Sequence, residues 1–175
     1  STNFSVLNAQ SAYDFVYRED TLLNLGTGRN YGLELTLERF LHNNFYYLAT
    51  LSLYQSEFSM DGENYYNTLF NGNYVFNTLL GKDFLVGKDQ QNTLGVNAKA
   101  TFFGGQRFNE IDLEESRKAF TTVFSKTPFT GQLEGYYRFD IGFNFKLNRY
   151  KSTHTFSFNI QNVTNRLNEY SRNSY

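Results

Sequence analysis

The stretch from Arg138 to Leu147 alternates between two kinds of residue. Its apolar members are Phe139, Ile141, Phe143, Phe145 and Leu147, and the residues between them are charged, polar or glycine. Because successive side chains of a β-strand point to opposite faces, one face of this strand is apolar and the other is hydrophilic. Its length is close to the roughly 9–11 residues with which a tilted strand crosses a bilayer. The stretch therefore predicts a transmembrane β-strand with aromatic rings towards lipid and charges towards a wet lumen.

The same alternation predicts five further strands, at residues 31–40, 45–58, 69–85, 93–103 and 153–163. Residues 1–17 predict one or two weak strands. Within residues 69–85 the Asn71-Gly72 dipeptide is also a strong signal for a two-residue hairpin, so both interpretations of that segment stay open.

The predicted connections are alternately short and long along the chain. Residues 41–44, 86–92 and 149–152 are short turns, whereas residues 56–68 and 104–132 are long breaks. In the second long break, Asp112 followed by Glu115 predicts the N-terminus of a short helix over residues 113–120. Short turns on one side and long loops on the other are typical of transmembrane barrels. The fold class predicted is all-β, an antiparallel up-and-down transmembrane β-barrel segment.

The number of strands bears on whether this barrel is whole. Six clear strands are fewer than the minimum of about eight in such barrels, and the last one would end on the side opposite to the barrel's usual terminus. We therefore expect residues 1–175 to be a single segment, a partial barrel that lacks its final strand.

Composition and motifs exclude several function classes. The net charge of −1 gives no electrostatic footprint for nucleic acid, and the absence of cysteine rules out disulfides and thiolate metal sites. The chain has no G-x-S-x-G motif, and its two histidines, His42 and His154, lie near separate turns. Glu34 and Glu38 would stand about 13 Å apart on one strand, too far for a glycosidase pair. We expect no enzymatic activity, no metal site and no cofactor.

Two groups of residues are candidates for function. On the polar faces of the predicted strands, the sequence places residues that would line the lumen: Glu34, Asn73, Asn97, Arg138, Asp140, Asn144 and Gln161. Loops as long as residues 104–132 often carry function, and the charged residues of this one are candidates for ligand or partner contact: Arg107, Glu110, Asp112 and Arg117.

Four stretches together carry a resemblance to a known family. They are residues 26–38 (GTGRNYGLELTLE), 70–77 (FNGNYVFN), 111–114 (IDLE) and 159–165 (NIQNVTN). Together they resemble the C-terminal barrel of TonB-dependent outer-membrane receptors of the Bacteroidetes type. The resemblance implies a bacterial outer-membrane receptor that imports a nutrient such as a glycan, a peptide or a metal chelate. The implied partners are outer-membrane lipid, a surface lipoprotein, and the receptor's own plug domain and TonB, both of which we expect to lie outside residues 1–175.

Two other classes of protein remain compatible with the sequence. One is a soluble ligand-binding barrel of lipocalin type, in which the apolar faces point inwards. The other is a small structural outer-membrane barrel with no transport role. Dependence on detergent would separate the first from both membrane alternatives.

Overall fold

The computed structural model of this protein describes residues 26–169, so the weak strands predicted at residues 1–17 lie outside the described residues. The described chain forms an antiparallel β-structure with one short helix. In chain order its elements are β1 (Thr27–His42), β2 (Phe45–Ser59), β3 (Tyr65–Asn67), β4 (Tyr74–Val86), β5 (Asn92–Phe103), β6 (Arg107–Phe108), α1 (Leu113–Ala119), β7 (Gly131–Gln132), β8 (Tyr136–Arg149) and β9 (Ser152–Ile160).

The long strands form one sheet in the order β1-β2-β4-β5-β8-β9, and each pairs antiparallel with its neighbours. The short strand β3 pairs with the end of β2, while β6 and β7 form a separate two-stranded sheet. This order confirms the prediction of an all-β, antiparallel, up-and-down fold. β1 and β9 are the two edges of the described sheet, which is therefore open rather than closed into a barrel.

The register places most of the apolar side chains of the six long strands on one side, here called the apolar face. Directly paired residues share a face, and the ladder joins Leu35 to Leu51, Val96 to Phe143 and Phe143 to Phe158. The main members of the apolar face are Leu33, Leu35, Leu37, Tyr47, Ala49, Leu51, Leu53, Phe76, Leu80, Leu94, Val96, Ala98, Ala100, Phe139, Ile141, Phe143, Phe145, Leu147, Phe156, Phe158 and Ile160.

The opposite side of the sheet, here called the polar face, carries most of the hydrophilic side chains. The separation has exceptions. Leu48 and Leu79 pair with each other on the polar face, and Lys82 lies on the apolar face beside the ring of Phe84, 5.3 Å from its centroid. Lys82 is in the last part of β4, near a short turn, where a flexible ammonium can reach water while its methylene groups stay against apolar surface.

The connections at the two ends of the sheet differ as predicted. At one end the strands are joined by short turns at residues 43–44, 87–91 and 150–151. At the other end the connections are residues 60–73 and 104–135, and these two segments together are called the loop cluster below. Among residues 26–169, no helix is long and apolar enough to span a membrane.

Several predicted boundaries are wrong. The first strand begins at Thr27 instead of residue 31. The break predicted at residues 56–68 is partly strand, because β2 continues to Ser59 and pairs with β3. The strand predicted to begin at residue 69 begins at Tyr74, and no hairpin forms at Asn71-Gly72. The last strand ends at Ile160 instead of residue 163. Beyond it the Val163 amide still donates to the Phe139 carbonyl at 2.8 Å, but the ladder is interrupted.

The predicted helix is confirmed. α1 spans Leu113–Ala119, and the Asp112 carboxylate accepts from the backbone amides of Glu114 and Glu115 at 3.1 and 3.0 Å. These bonds satisfy amides that have no partner within the helix. The reciprocal bond of a capping box is not made, because the Asp112 amide donates to the Val123 carbonyl instead. Phe120 ends the helix in the left-handed conformation.

Candidate functional site

The most deeply buried side chains of the described residues lie in the loop cluster and at the strand ends beside it. Phe58 and Phe129 are both fully buried, and their rings meet edge to face with centroids 6.1 Å apart. Leu133 is 7% exposed. Since the apolar face of the sheet has no such cover among residues 26–169, the closest packing within this range is in the long loops. The loop cluster is therefore a packed, ordered structure at one end of the sheet.

Asn71 is the buried polar residue at the centre of the hydrogen bonds of the loop cluster. Its side chain is fully buried, with Oδ1 accepting from the Ser56 amide at 3.1 Å and Nδ2 donating to Asn67 Oδ1 at 2.7 Å. A buried amide is stable only when its donors and acceptors find partners. Asn71 finds them on β2 and β3, so it joins residues 60–73 to the end of the main sheet.

Arg107 joins the two halves of the loop cluster. Its Nε donates to the Asn71 carbonyl at 3.1 Å, and its Nη2 donates to Asn73 Oδ1 at 3.0 Å. Its backbone amide donates to the Leu69 carbonyl at 2.9 Å. Burial lowers the pKa of Arg107 below its ordinary value, although a guanidinium stays charged at neutral pH. The structure thus gives this predicted contact residue a structural role, and contact with a ligand stays a prediction.

The other charged candidates of the long loop lie further out. Glu110 is exposed, and its Oε2 accepts from Thr130 Oγ1 at 3.1 Å. Asp112 is occupied in capping α1, while Arg117 is exposed on that helix. The four candidates are therefore brought to the same loop cluster without converging on one pocket.

Most of the predicted lumen-lining residues lie on the polar face. Arg138 and Asp140 form an ion pair with Nη2 and Oδ2 3.0 Å apart, and Asp140 Oδ1 also accepts from the Asn162 amide at 2.9 Å. Asn97 lies opposite Gly142, whose missing side chain leaves room for the Asn97 and Asn159 amides to lie against its backbone. These side chains form a hydrogen-bonded, hydrophilic surface.

Two of the predicted lumen-lining residues are not on the strands. Asn73 precedes β4 with a positive φ of 72°, and its Nδ2 donates to Gln55 Oε1 at 2.7 Å, so it belongs to the loop cluster. Gln161 follows the end of β9 and is exposed. For these two residues, the prediction that alternation extends through the segment is wrong. Glu34 and Asn144 lie on the polar face as predicted.

A cavity that the sequence did not predict lies at the loop-cluster end of β1 and β2. Its volume is about 580 Å³, and the side chains that face it from the polar side include Asn30, Glu34, Ser52, Tyr54 and Phe70. The distance in sequence between Glu34 and Phe70 explains why no local pattern indicated it. One feature of the sequence could have indicated the cavity. Gly32 stands at a position of the alternating strand where a polar side chain is expected, so it leaves a gap on the polar face.

Comparison with known proteins adds no relative to these observations. No family model, curated protein or solved structure matches this chain. Function is therefore inferred from the chain's own faces, loops and cavity.

Proposed function

We propose that this chain is part of the outer-membrane β-barrel of a TonB-dependent receptor that imports a nutrient. The observation that carries the proposal is the apolar face. On the outer strands, Leu33, Leu35, Phe156 and Phe158 are 69%, 63%, 62% and 63% exposed. Soluble monomers rarely expose contiguous apolar patches of more than a few hundred Å². A face this wide, with no covering layer among residues 26–169, has the character of a surface solvated by lipid.

Strand length and connection length support the same proposal. The six long strands contain between 9 and 16 residues, compared with the about 9–11 residues needed to cross a bilayer at a tilt. The excess in β1, β2 and β8 would extend beyond the lipid on the side of the loop cluster. Short turns would then face the periplasm and the loop cluster would face the cell exterior, as in outer-membrane barrels.

The polar face has the properties expected of a barrel lumen. It carries an ion pair and several amide side chains, which are suited to contact with water and hydrophilic solutes. In the proposed receptor it would contact the plug domain, and TonB would supply energy through that domain. The ordered loop cluster would be available to a surface lipoprotein. The particular family comes from the sequence resemblance and is part of the proposal.

The test is made in the bacterium that encodes the chain. An antibody against residues 104–135 should detect the protein in the outer-membrane fraction, released only by detergent. Deletion of the gene should abolish growth on one nutrient of a panel of glycans, peptides and metal chelates, and deletion of TonB should abolish growth on the same nutrient.

The alternatives give different results in the same experiment. Recovery of the protein in a soluble fraction without detergent would favour a lipocalin-like barrel and contradict the proposal. Outer-membrane location with unchanged growth on every nutrient, with and without TonB, would favour a structural barrel and contradict the transport role.

A further inference from the structure

The cavity at the loop-cluster end of β1 and β2 is built on three consecutive cross-strand pairs of the polar face. Asn30 is paired with Ser56, Gly32 with Tyr54 and Glu34 with Ser52. The middle pair has a side chain on one strand only. A Cβ at Gly32 would collide with the Leu53 carbonyl oxygen and lie 3.0 Å from the Tyr54 Cα, so this position requires glycine. Gly32 itself is exposed.

The Tyr54 hydroxyl is bonded to the backbone of the loop cluster. Tyr54 Oη donates to the Phe70 carbonyl at 3.1 Å and accepts from the Gly72 amide at 3.3 Å. These two bonds fix the ring at the loop-cluster side of the cavity. The result is a depression of about 580 Å³ with a backbone floor, within the range of about 300–1,000 Å³ typical of small-molecule sites.

Phe70 supplies a second aromatic wall. Its side chain is 72% exposed although its backbone is fixed by the Tyr54 hydroxyl. An aromatic ring presents a large apolar surface against which a ligand can pack. The exposed Phe70 ring offers such a surface to a ligand in the cavity.

The remaining wall is polar and carries one charge. Among the described residues, Glu34 is the only charged side chain that lines the cavity. Its Oε1 accepts from Ser52 Oγ at 3.3 Å, and no hydrogen bond to its Oε2 is made by residues 26–169. No cationic side chain of this part of the chain lines the cavity, so these residues offer an anionic ligand no counter-charge. Hydroxyl and amide groups from Ser52 and Asn30 can both donate and accept. Such a wall is complementary to a ligand with many hydroxyl groups.

We propose that this cavity is a binding subsite for a neutral sugar ring. The ring's C–H-rich face would pack on Phe70, and its hydroxyl groups would donate to Glu34 and exchange hydrogen bonds with Ser52 and Asn30. The inference rests on the proposed function, because the polar face lines a passage for solutes only in a barrel with a polar lumen. It names neutral glycans as the substrate class and places their contact at the loop-cluster end of the lumen.

The test uses the complete protein, purified in detergent, and an array of immobilised oligosaccharides of glucose, galactose, mannose, xylose and N-acetylglucosamine. Heparin and polygalacturonate serve as anionic probes and polylysine as a cationic one. We expect binding to at least one neutral glycan, weakened by about tenfold or more in Phe70→Ala and weakened in Glu34→Gln. Phe70→Tyr, which keeps the ring, should restore binding. Matched controls outside the cavity, Phe120→Ala and Glu38→Gln, should bind as the wild type does.

Phe70 is exposed, so its substitution should leave the fold intact, and circular dichroism of each variant verifies this. Binding of polylysine alone, binding of no neutral glycan, or glycan binding that is unchanged in Phe70→Ala would each overturn the subsite. Flotation of the same preparation with liposomes tests the membrane proposal separately. Flotation without glycan binding refutes only the subsite, whereas glycan binding without flotation refutes the membrane proposal.

Discussion

Phe143 of β8 lies directly opposite Phe158 of β9 in the antiparallel ladder, with both side chains on the apolar face. The neighbouring residue, Asn144, lies on the polar face opposite Gly95 and lines a second, smaller cavity together with Asp83 and Lys146. Two adjacent residues of one strand thus have different surroundings. This contrast makes the pair a direct probe of which face meets lipid.

We expect Phe143→Arg to destabilise the complete protein by about 2–4 kcal/mol if Phe143 faces lipid near mid-bilayer. Asn144→Arg should cost far less, because the guanidinium would enter a hydrated face near the Asp83 carboxylate. Urea titration of refolding into lipid vesicles measures both free energies. Equal destabilisation by the two arginines would reverse the assignment of the faces.

Phe143→Leu separates a lipid-facing ring from a ring in a protein core. Against lipid, leucine keeps an apolar surface and loses no tightly packed partner, so the expected cost is below about 1 kcal/mol. In a closely packed core, the loss of ring contacts would cost about 1–3 kcal/mol. The same urea titration decides between the two, and a costly leucine variant would favour the soluble, inward-facing arrangement.

The topology of the connections is testable with single cysteines, since the chain has none of its own. Glu63 and Glu115 are exposed in the loop cluster, and Asp89 and Lys151 are exposed in short turns at the opposite end of the sheet. On intact cells, an impermeant maleimide should label cysteine at 63 or 115 but not at 89 or 151. The reverse pattern would show that the short turns face outwards.

Phe129 and Phe120 form a matched pair for testing the loop cluster. Phe129 is fully buried against Phe58, whereas Phe120 is 96% exposed at the end of α1. Phe129→Ala should reduce the local stability of the loop cluster by about 3–5 kcal/mol, while Phe120→Ala should change it by less than about 0.5 kcal/mol. Hydrogen–deuterium exchange over residues 104–135 measures this. Similar exchange rates in the two variants would contradict the packing of Phe129 against Phe58.

Acid should weaken the loop at residues 59–64. The Asp61 carboxylate accepts from the Asn64 and Glu63 amides and from the Asn64 and Ser59 side chains, and these bonds hold its pKa well below the ordinary value. Because the pKa is lower folded than unfolded, the stabilisation is complete above the unfolded pKa of about 3.9 and declines as the pH falls through the folded pKa.

An NMR titration of the Asp61 carboxyl carbon checks this linkage. At pH 3 the chemical shift of this carbon should still be that of the ionised carboxylate. Asn64→Ala should raise the pKa of Asp61, because it removes a side-chain donor. A wild-type carboxyl that titrates near its ordinary value would show that the loop does not hold the ionised form. Asp61→Asn should remove the acid-dependent loss of loop order.

Alternation along the sequence determined where most strands lie and which residues share a face. From Arg138 to Leu147, and equally from Leu94 to Phe102 in β5, neighbouring side chains differ in polarity, and a pleated strand converts that difference directly into two faces. The N-terminus of α1 was also predictable, because Asp112 caps amides only two and three residues away. These features depend on local contacts, which the order of residues specifies.

The tertiary structure alone decided the roles of the loop residues. Asn71 and Gly72 resemble a hairpin turn in sequence, yet Asn71 is buried between Ser56, Asn67 and Arg107. The position of Asn73 in the alternating pattern fits a lumen residue. In the structure it lies just before β4, with a positive φ and hydrogen bonds to Gln55 and Arg107. The cavity between Glu34 and Phe70 likewise joins residues far apart in the chain. Burial and hydrogen-bond satisfaction depend on which distant segments meet, and periodicity along a single strand carries no information about that.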